Sequence, residues 1–246
     1  MNTADIFNRV NRLVGSEALL NISNAKIIVF GIGGVGSWTV EALVRSGVGH
    51  ITIVDADTVA TSNINRQLPA TTLTVGQLKV EVMRQRMLEI NPKVDIKAVA
   101  MRYTAETADD FVLTDYDYVV DAIDSLADKA LLIHKATSQK VRLLSSMGAA
   151  LKMDPTRIRV AEFRNVIGCR LAAALRRKFK QTGMYPARKF RCVYSDELLP
   201  NRGEDTDNSG AMTYGKIAVN GALCHVTAIF GLILAGLIIE ELTTGK

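Results

Sequence analysis

The first two thirds of the chain alternate short apolar runs with segments of helical spacing. The run KIIVF at 26–30 is β-branched and aromatic and is followed by glycines, which predicts a strand leading into a turn. Over 37–46, Trp38, Ala42 and Arg45 recur at helical spacing, and Gly49 interrupts the pattern before ITIVD at 51–55 predicts a second strand. This opening reads as a β-α-β unit. Further strands are predicted at 94–101, 118–123, 141–145 and 157–163, and helices at 75–90 and 125–138. Strands alternating with helices pack as a mostly parallel sheet covered on both faces, so the predicted class is α/β with a doubly wound, Rossmann-like sheet.

Beyond residue 163 the pattern changes. A basic helix is predicted at 169–180, followed by a connection at 186–214 rich in charged and turn residues. Residues 217–239 then carry no Asp, Glu, Lys or Arg over 23 positions, a length that reaches across a bilayer. Asn220, His225 and Thr227 interrupt its first half, so a buried or interface helix is the first reading and membrane association the second. The 246 residues suit one domain, with a core at 1–163, the basic helix and crossover-type connection at 164–214, and an apolar C-terminal helix at 215–246.

Composition narrows the class. With 48% hydrophobic and 22% charged residues, the chain has enough apolar material for a packed core and does not resemble a disordered segment. Its 3 cysteines, Cys169, Cys192 and Cys224, form no Cys-x-x-Cys pair, which argues against a disulfide framework or a four-cysteine zinc site. Residues 1–12 are polar and mixed in charge, unlike a secretory signal, so a cytoplasmic location is expected, with membrane attachment through 217–239 as the alternative. The net charge is +5, yet residues 164–191 alone hold nine cations (Arg164, Arg170, Arg176, Arg177, Lys178, Lys180, Arg188, Lys189 and Arg191) and no Asp or Glu. Such a segment predicts a surface for a polyanion, nucleic acid first.

The glycines Gly31, Gly33, Gly34 and Gly36 lie between the first predicted strand and the helix after it. There the backbone can approach a phosphate chain, and the helix N-terminus offers free amides. Asp55 ends the second strand, where a carboxylate can accept hydrogen bonds from ribose hydroxyls. The segment SNINRQ at 62–67 and the GQLK at 76–79 supply Arg66 and Lys79, two cations able to neutralise β- and γ-phosphates. Asp124, at the end of VVDAID, could hold Mg2+ beside them. This set favours ATP over a nicotinamide dinucleotide. Asp57 fits the site but equally could cap the turn that follows it.

The combination GIGGVGS, VDADTV, SNINRQ, GQLK and VVDAID, spread over residues 4–148, resembles the ThiF/MoeB/ubiquitin-activating superfamily of ATP-dependent adenylating enzymes. The resemblance implies that Asp55 holds the ribose, that Asn63, Arg66 and Lys79 hold the phosphates, and that Asp124 holds magnesium. It also implies a homodimer in which an N-terminal arginine reaches the partner's ATP site, with Arg12 the first choice and Arg9 the second. Members that activate ubiquitin-like carriers commonly keep two zinc-binding Cys-x-x-Cys pairs, absent here. The strand near 157–160, the helix LAAALRRK, the basic connection and the apolar tail instead resemble the tRNA threonylcarbamoyladenosine dehydratase branch. That branch implies ATP-dependent cyclisation of a tRNA nucleoside through carboxylate adenylation. The alternatives are adenylation of the C-terminal glycine of a sulfur carrier and an RNA-binding nucleotide sensor. Cys192, in the connection where related enzymes place a crossover loop, and Cys169, before the basic helix, read as incidental thiols, and a sulfur-relay protein stands as a further candidate partner.

Overall fold

The computed structural model describes residues 6–139, 141–203 and 220–245. It opens with two short helices that the periodicity did not reveal, α1 (Asn8–Val14) and α2 (Ser16–Asn24). The first buries no residue and the second only Ala18 and Ile22, so neither carries the continuous apolar stripe that betrays a helix in sequence.

The predicted β-α-β unit follows as β1 (Lys26–Phe30), α3 (Gly36–Arg45) and β2 (His50–Val54). Next come α4 (Lys79–Ile90), β3 (Asp95–Val99), β4 (Tyr118–Asp121), α5 (Leu126–Ser138), β5 (Arg142–Ser146), β6 (Ile158–Glu162), α6 (Arg170–Thr182), β7 (Arg191–Ser195) and α7 (Cys224–Thr244). The sheet has seven strands in the order β3-β2-β1-β4-β5-β7-β6, parallel throughout except for the antiparallel β6–β7 pair. The expected mostly parallel, Rossmann-like sheet is therefore present. Between β1 and β4 the order of connection reverses, and in such sheets ligands bind in the crevice at the C-terminal strand ends of that switch point.

Two segments differ from expectation. Residues 75–78 stay outside α4, because Gly76 has φ +87° and Leu78 pairs with Thr58 in an isolated bridge. Residues 191–195, read as part of a connection, form β7 between β5 and β6. Cations at 188, 189 and 191 disguised this strand, whose Cys192, Val193, Tyr194 and Ser195 are all buried. Cys192 is thus an interior strand residue rather than a crossover-loop thiol. The turn-rich 205–210 and the start of the apolar stretch at 217–219 lie outside the described residues.

α7 is long and apolar enough to cross a bilayer. One of its faces is nevertheless core: Val226, Phe230, Leu234 and Ile238 are fully buried in the cluster that also contains Val40, Leu43 and Val44 of α3. The approach to α3 is close enough that a Cβ on Gly231 would lie 2.4 Å from the Val35 carbonyl oxygen, and Thr39 Oγ1 donates to the Gly231 carbonyl at 3.2 Å.

Candidate nucleotide site

Among the described residues, the glycine turn between β1 and α3 is packed at Gly31, Gly34 and Gly36 and more open at Gly33. Gly31 has φ +88°, and a Cβ there would meet the Ala122 carbonyl oxygen at 2.7 Å, so the turns after β1 and β4 touch. A Cβ on Gly36 would stand 1.8 Å from the Gly31 carbonyl oxygen, which leaves glycine as the residue that lets α3 start so tightly. A Cβ on Gly34 would lie 3.1 Å from Thr227 Cβ of α7. Among the described residues a Cβ on Gly33 would meet only the side-chain amide of Gln67, at 3.8 Å, and this is the side from which a phosphate chain could approach the α3 amides.

Asp55 closes one end of this turn. Its Oδ2 accepts from the Ile32 amide at 2.7 Å and its Oδ1 from the Asp57 amide at 2.8 Å. Burial pushes its carboxyl above the usual aspartate range, although Lys79 and the two amides pull the other way. Lys79 is the first residue of α4, its side chain only 6% exposed, and its Nζ pairs with Asp57 Oδ2 at 2.7 Å. The Lys79 amide also donates to the Asp57 carbonyl at 3.1 Å, so the two strands of this loop are tied twice.

The SNINRQ segment docks on the start of α3. Trp38 Nε1 donates to the Arg66 carbonyl at 3.3 Å, and Ser37 Oγ bridges the Gly33 carbonyl, at 2.6 Å, and the Leu68 amide, at 3.3 Å. Asn63 is buried and its Oδ1 accepts from the Ala60 amide at 3.1 Å, a role within the loop itself. Arg66 Nη1 donates to the Ser62 carbonyl at 2.9 Å and to Asn65 Oδ1 at 2.8 Å. Gln67, not singled out in the sequence, is buried beside Gly33, and among the described residues its Oε1 has no partner. An unmet buried acceptor next to the open face of a glycine turn fits a site that takes a polar ligand.

The two aspartates of VVDAID have different surroundings. Asp121 is fully buried, where its Oδ2 meets the equally buried Lys129 Nζ at 2.8 Å and Ser145 Oγ at 2.6 Å. Its Oδ1 accepts from the Ile123 amide at 3.1 Å, and Lys129 also donates to the Ile123 carbonyl at 3.0 Å. This network holds the turn whose Ala122 and Ile123 backbone lies against Gly31 and in which the next residue, Asp124, is exposed. Lys129 carries no sequence signature that separates it from a surface helix lysine. Among the described residues no cluster of three or more His, Cys, Asp or Glu is arranged to hold a metal. A divalent ion could still be held by Asp124 together with a ligand's phosphates, the arrangement magnesium favours.

Arg12 and Arg9 lie exposed on α1. Phe7, just before that helix, packs against Gly47, at the end of α3 remote from the glycine turn. Of the basic segment, Arg176 is structural: its Nη2 donates to the Phe163 carbonyl at 2.9 Å and the Val166 carbonyl at 2.5 Å, and its guanidinium lies 5.3 Å from the Phe163 ring centre. Arg164, Arg170, Arg177 and Lys180 are exposed. Cys169 and Cys192 are buried, and burial pushes the Cys192 thiol far up.

Comparison with known proteins places this geometry. A family model described as the ThiF family matches residues 7–245. The chain is 37% identical to the tRNA threonylcarbamoyladenosine dehydratase of Haemophilus influenzae, over 98% of this chain and 94% of that protein. It is 36% identical to the protein of the same name from Bacillus subtilis, over 96% and 94%. Among solved structures, the Escherichia coli tRNA N6-threonylcarbamoyladenosine dehydratase in complex with ATP superposes with a TM-score of 0.87 at 34% identity, covering 100% of this chain and 97% of that one. The glycine turn, Asp55 and the buried Lys79 are therefore those of a chain that belongs to the ThiF family.

Proposed function

We propose that this protein is an ATP-dependent tRNA threonylcarbamoyladenosine dehydratase. A free carboxylate is a poor acylating group because its leaving group is oxide, and transfer of AMP to it supplies a good one. Attack by the carbamoyl portion of the same nucleoside then closes a ring and expels AMP, for a net loss of water. Because the attack is intramolecular, effective molarity is worth about 7–11 kcal/mol, and no enzyme nucleophile is required. The buried thiol of Cys192 agrees with that economy, and a sulfur-relay partner acting through it is not part of this reading.

The chain's own groups then have charge neutralisation and positioning as their work. The amides of the glycine turn at Gly31, Gly33, Gly34 and Gly36 receive phosphate oxygens, and Asp55 accepts the ribose hydroxyls. Arg66 and Lys79 face the phosphates, with Asn63 and Asp57 keeping their loops in place, and Asp124 is the residue that would hold Mg2+. Arg12, with Arg9 the second choice, completes the site from the other subunit of a homodimer. The tRNA lies on the basic segment 164–191, and the enzyme works in the cytoplasm, with α7 a core and interface helix.

The observation that carries the reading is that likeness to the dehydratases runs the length of the chain, through the basic segment as well as the nucleotide motifs. The test is incubation with labelled ATP and either tRNA bearing the threonylcarbamoyl group or a ubiquitin-like carrier protein. AMP release with tRNA, accompanied by loss of one water from the modified nucleoside by mass spectrometry, is expected. Pyrophosphate release with the carrier alone, the AMP staying on the carrier's C-terminal carboxyl, would replace this reading by its rival.

A further inference from the structure

We propose that the tRNA backbone has a second anchoring point, a cationic cavity at the N-terminal ends of the sheet's strands, opposite the nucleotide site. This rests on the tRNA reading above and adds to it a defined phosphate site. The cavity has a volume of about 310 Å³ and is lined by Arg142, Arg188, Lys189, Phe190, Arg191 and Glu241 among others. Arg142 and Arg191 are the first residues of the neighbouring parallel strands β5 and β7. The glycine turn follows the last residue of β1, so the cavity and the ATP site occupy opposite ends of the strands.

Among the described residues that line it, four cations face one carboxylate. Arg142 Nη1 reaches Glu241 Oε2 at 3.1 Å and Tyr118 hydroxyl at 2.7 Å, Arg191 pairs with Glu241 Oε1, and Tyr118 donates to Glu241 Oε2 at 3.0 Å. Glu241 thus fixes two guanidiniums in place but compensates only one of them. Arg188 is oriented by its own bond, Nε to the Thr137 carbonyl at 2.9 Å at the C-terminal end of α5. Lys189 is exposed and, among the described residues, has no hydrogen bond or ion pair. Excess positive charge around a cavity, with three arginines oriented by hydrogen bonds and one lysine left to reach out, suits a phosphodiester, whose oxygens arginine and lysine both receive.

α6 connects the two ends. Arg170, Arg177 and Lys180, at helical spacings of seven and three, form one exposed stripe along it. At 1.5 Å per residue this helix spans about 20 Å. Its first residue follows Cys169, whose sulfur lies 4.0 Å from a Cβ placed on Gly148, just beyond the C-terminal end of β5. Past its end, Tyr185 and Ala187 bond to His134 and Thr137 near the end of α5, which leads to Arg188 and Lys189. The stripe therefore runs from the nucleotide edge to the cavity, a path matched to a helical stem rather than to a small anion.

The experiment compares wild type with Lys189→Glu and with the double variant Arg188→Gln/Lys189→Gln, measuring tRNA affinity by fluorescence anisotropy across a salt series. Each lost phosphate contact should flatten the slope of log affinity against log salt by about 0.7–0.9 and cost about five- to eightfold in affinity near 0.1 M salt. ATP affinity, read by calorimetry on the same samples, should not change, since the cavity is remote from the glycine turn. Unchanged tRNA affinity and slope in both variants, with wild-type binding intact, would overturn the cavity while leaving the dehydratase reading standing. A wild-type protein that fails to bind tRNA would overturn both.

Discussion

Lys79 Nζ and Asp57 Oδ2 stand 2.7 Å apart, and the lysine is nearly inaccessible while the aspartate is 58% exposed on its side chain. The pair is therefore asymmetric: the cation is held in place, and the anion is the removable partner. If Lys79 contacts the transferring phosphates, Lys79→Ala should lower kcat/KM for AMP formation by about a hundredfold, the size of a lost transition-state contact of ~3 kcal/mol. Asp57→Asn should act mainly through KM for ATP, because it frees a lysine already aimed by its backbone. Steady-state kinetics with tRNA separate the two, and equal kcat effects would count against the assigned roles.

The two aspartates of β4 and its turn should fail in different ways. Asp124→Asn is expected to fold normally, since the residue is exposed, and to lose activity in a manner partly restored by higher magnesium. Lys129→Met leaves the fully buried Asp121 uncompensated, for which about 3–5 kcal/mol of destabilisation is expected. Denaturant unfolding and magnesium titration of the two variants measure the contrast.

Asp55 should give the acid limb of ATP binding. Its carboxyl is raised by burial, and if it receives the ribose hydroxyls it does so best as the carboxylate, which accepts more strongly than the protonated acid. Affinity is then full above that raised value and declines as pH falls through it, at a pH above the ordinary aspartate range. The folded state shows the opposite sign at this residue: an upward shift contributes stability below the unfolded value that is lost as the group ionises. Calorimetric ATP titrations over pH should show the decline, and Asp55→Asn should bind more weakly at neutral pH with that limb removed.

Cys192 is buried in β7, paired with Ser145 of β5 on one side and Ala161 of β6 on the other. Burial holds it in the thiol form at neutral pH, so alkylation of the native protein should be far slower there than at the exposed Cys224. Cys192→Ala should retain turnover, and mass-spectrometric mapping of labelled cysteines over time supplies the rates.

Gly231→Ala should damage nucleotide binding from a distance. The added methyl would lie 2.4 Å from the Val35 oxygen and 2.9 Å from the Thr39 nitrogen, which forces α7 away from the first turn of α3. Loss of about 1–3 kcal/mol of stability is expected from such overpacking. Thr227, on the same helix, would withdraw from Gly34, so weaker ATP binding should accompany the lower Tm. The exposed Gly236→Ala is the control, since nothing lies within 4 Å of its added methyl.

Residue order alone indicated the alternation of strands with helices and the glycine turn after the first strand, because those features are local. KIIVF followed by glycines, and an aspartate closing the next apolar run, need no distant contact to be read. The motif residues Asp55, Asp57 and Lys79 were legible for the same reason, although their ion pair was not. What the tertiary structure decided depends on residues far apart in sequence. β7 is a strand because β5 and β6 offer it two partners, and its own basic flank conceals that. VVDAID contains two aspartates of equal appearance, and only burial against Lys129 and Ser145 tells the clamp from the presented carboxylate. The apolar tail met the length criterion for a bilayer helix, while the glycine at 231 that lets it lie against α3 acquires meaning only with both helices in place. Local patterns record backbone preference and the side on which apolar groups fall, but pairing free energy resides between elements, where sequence distance carries no information.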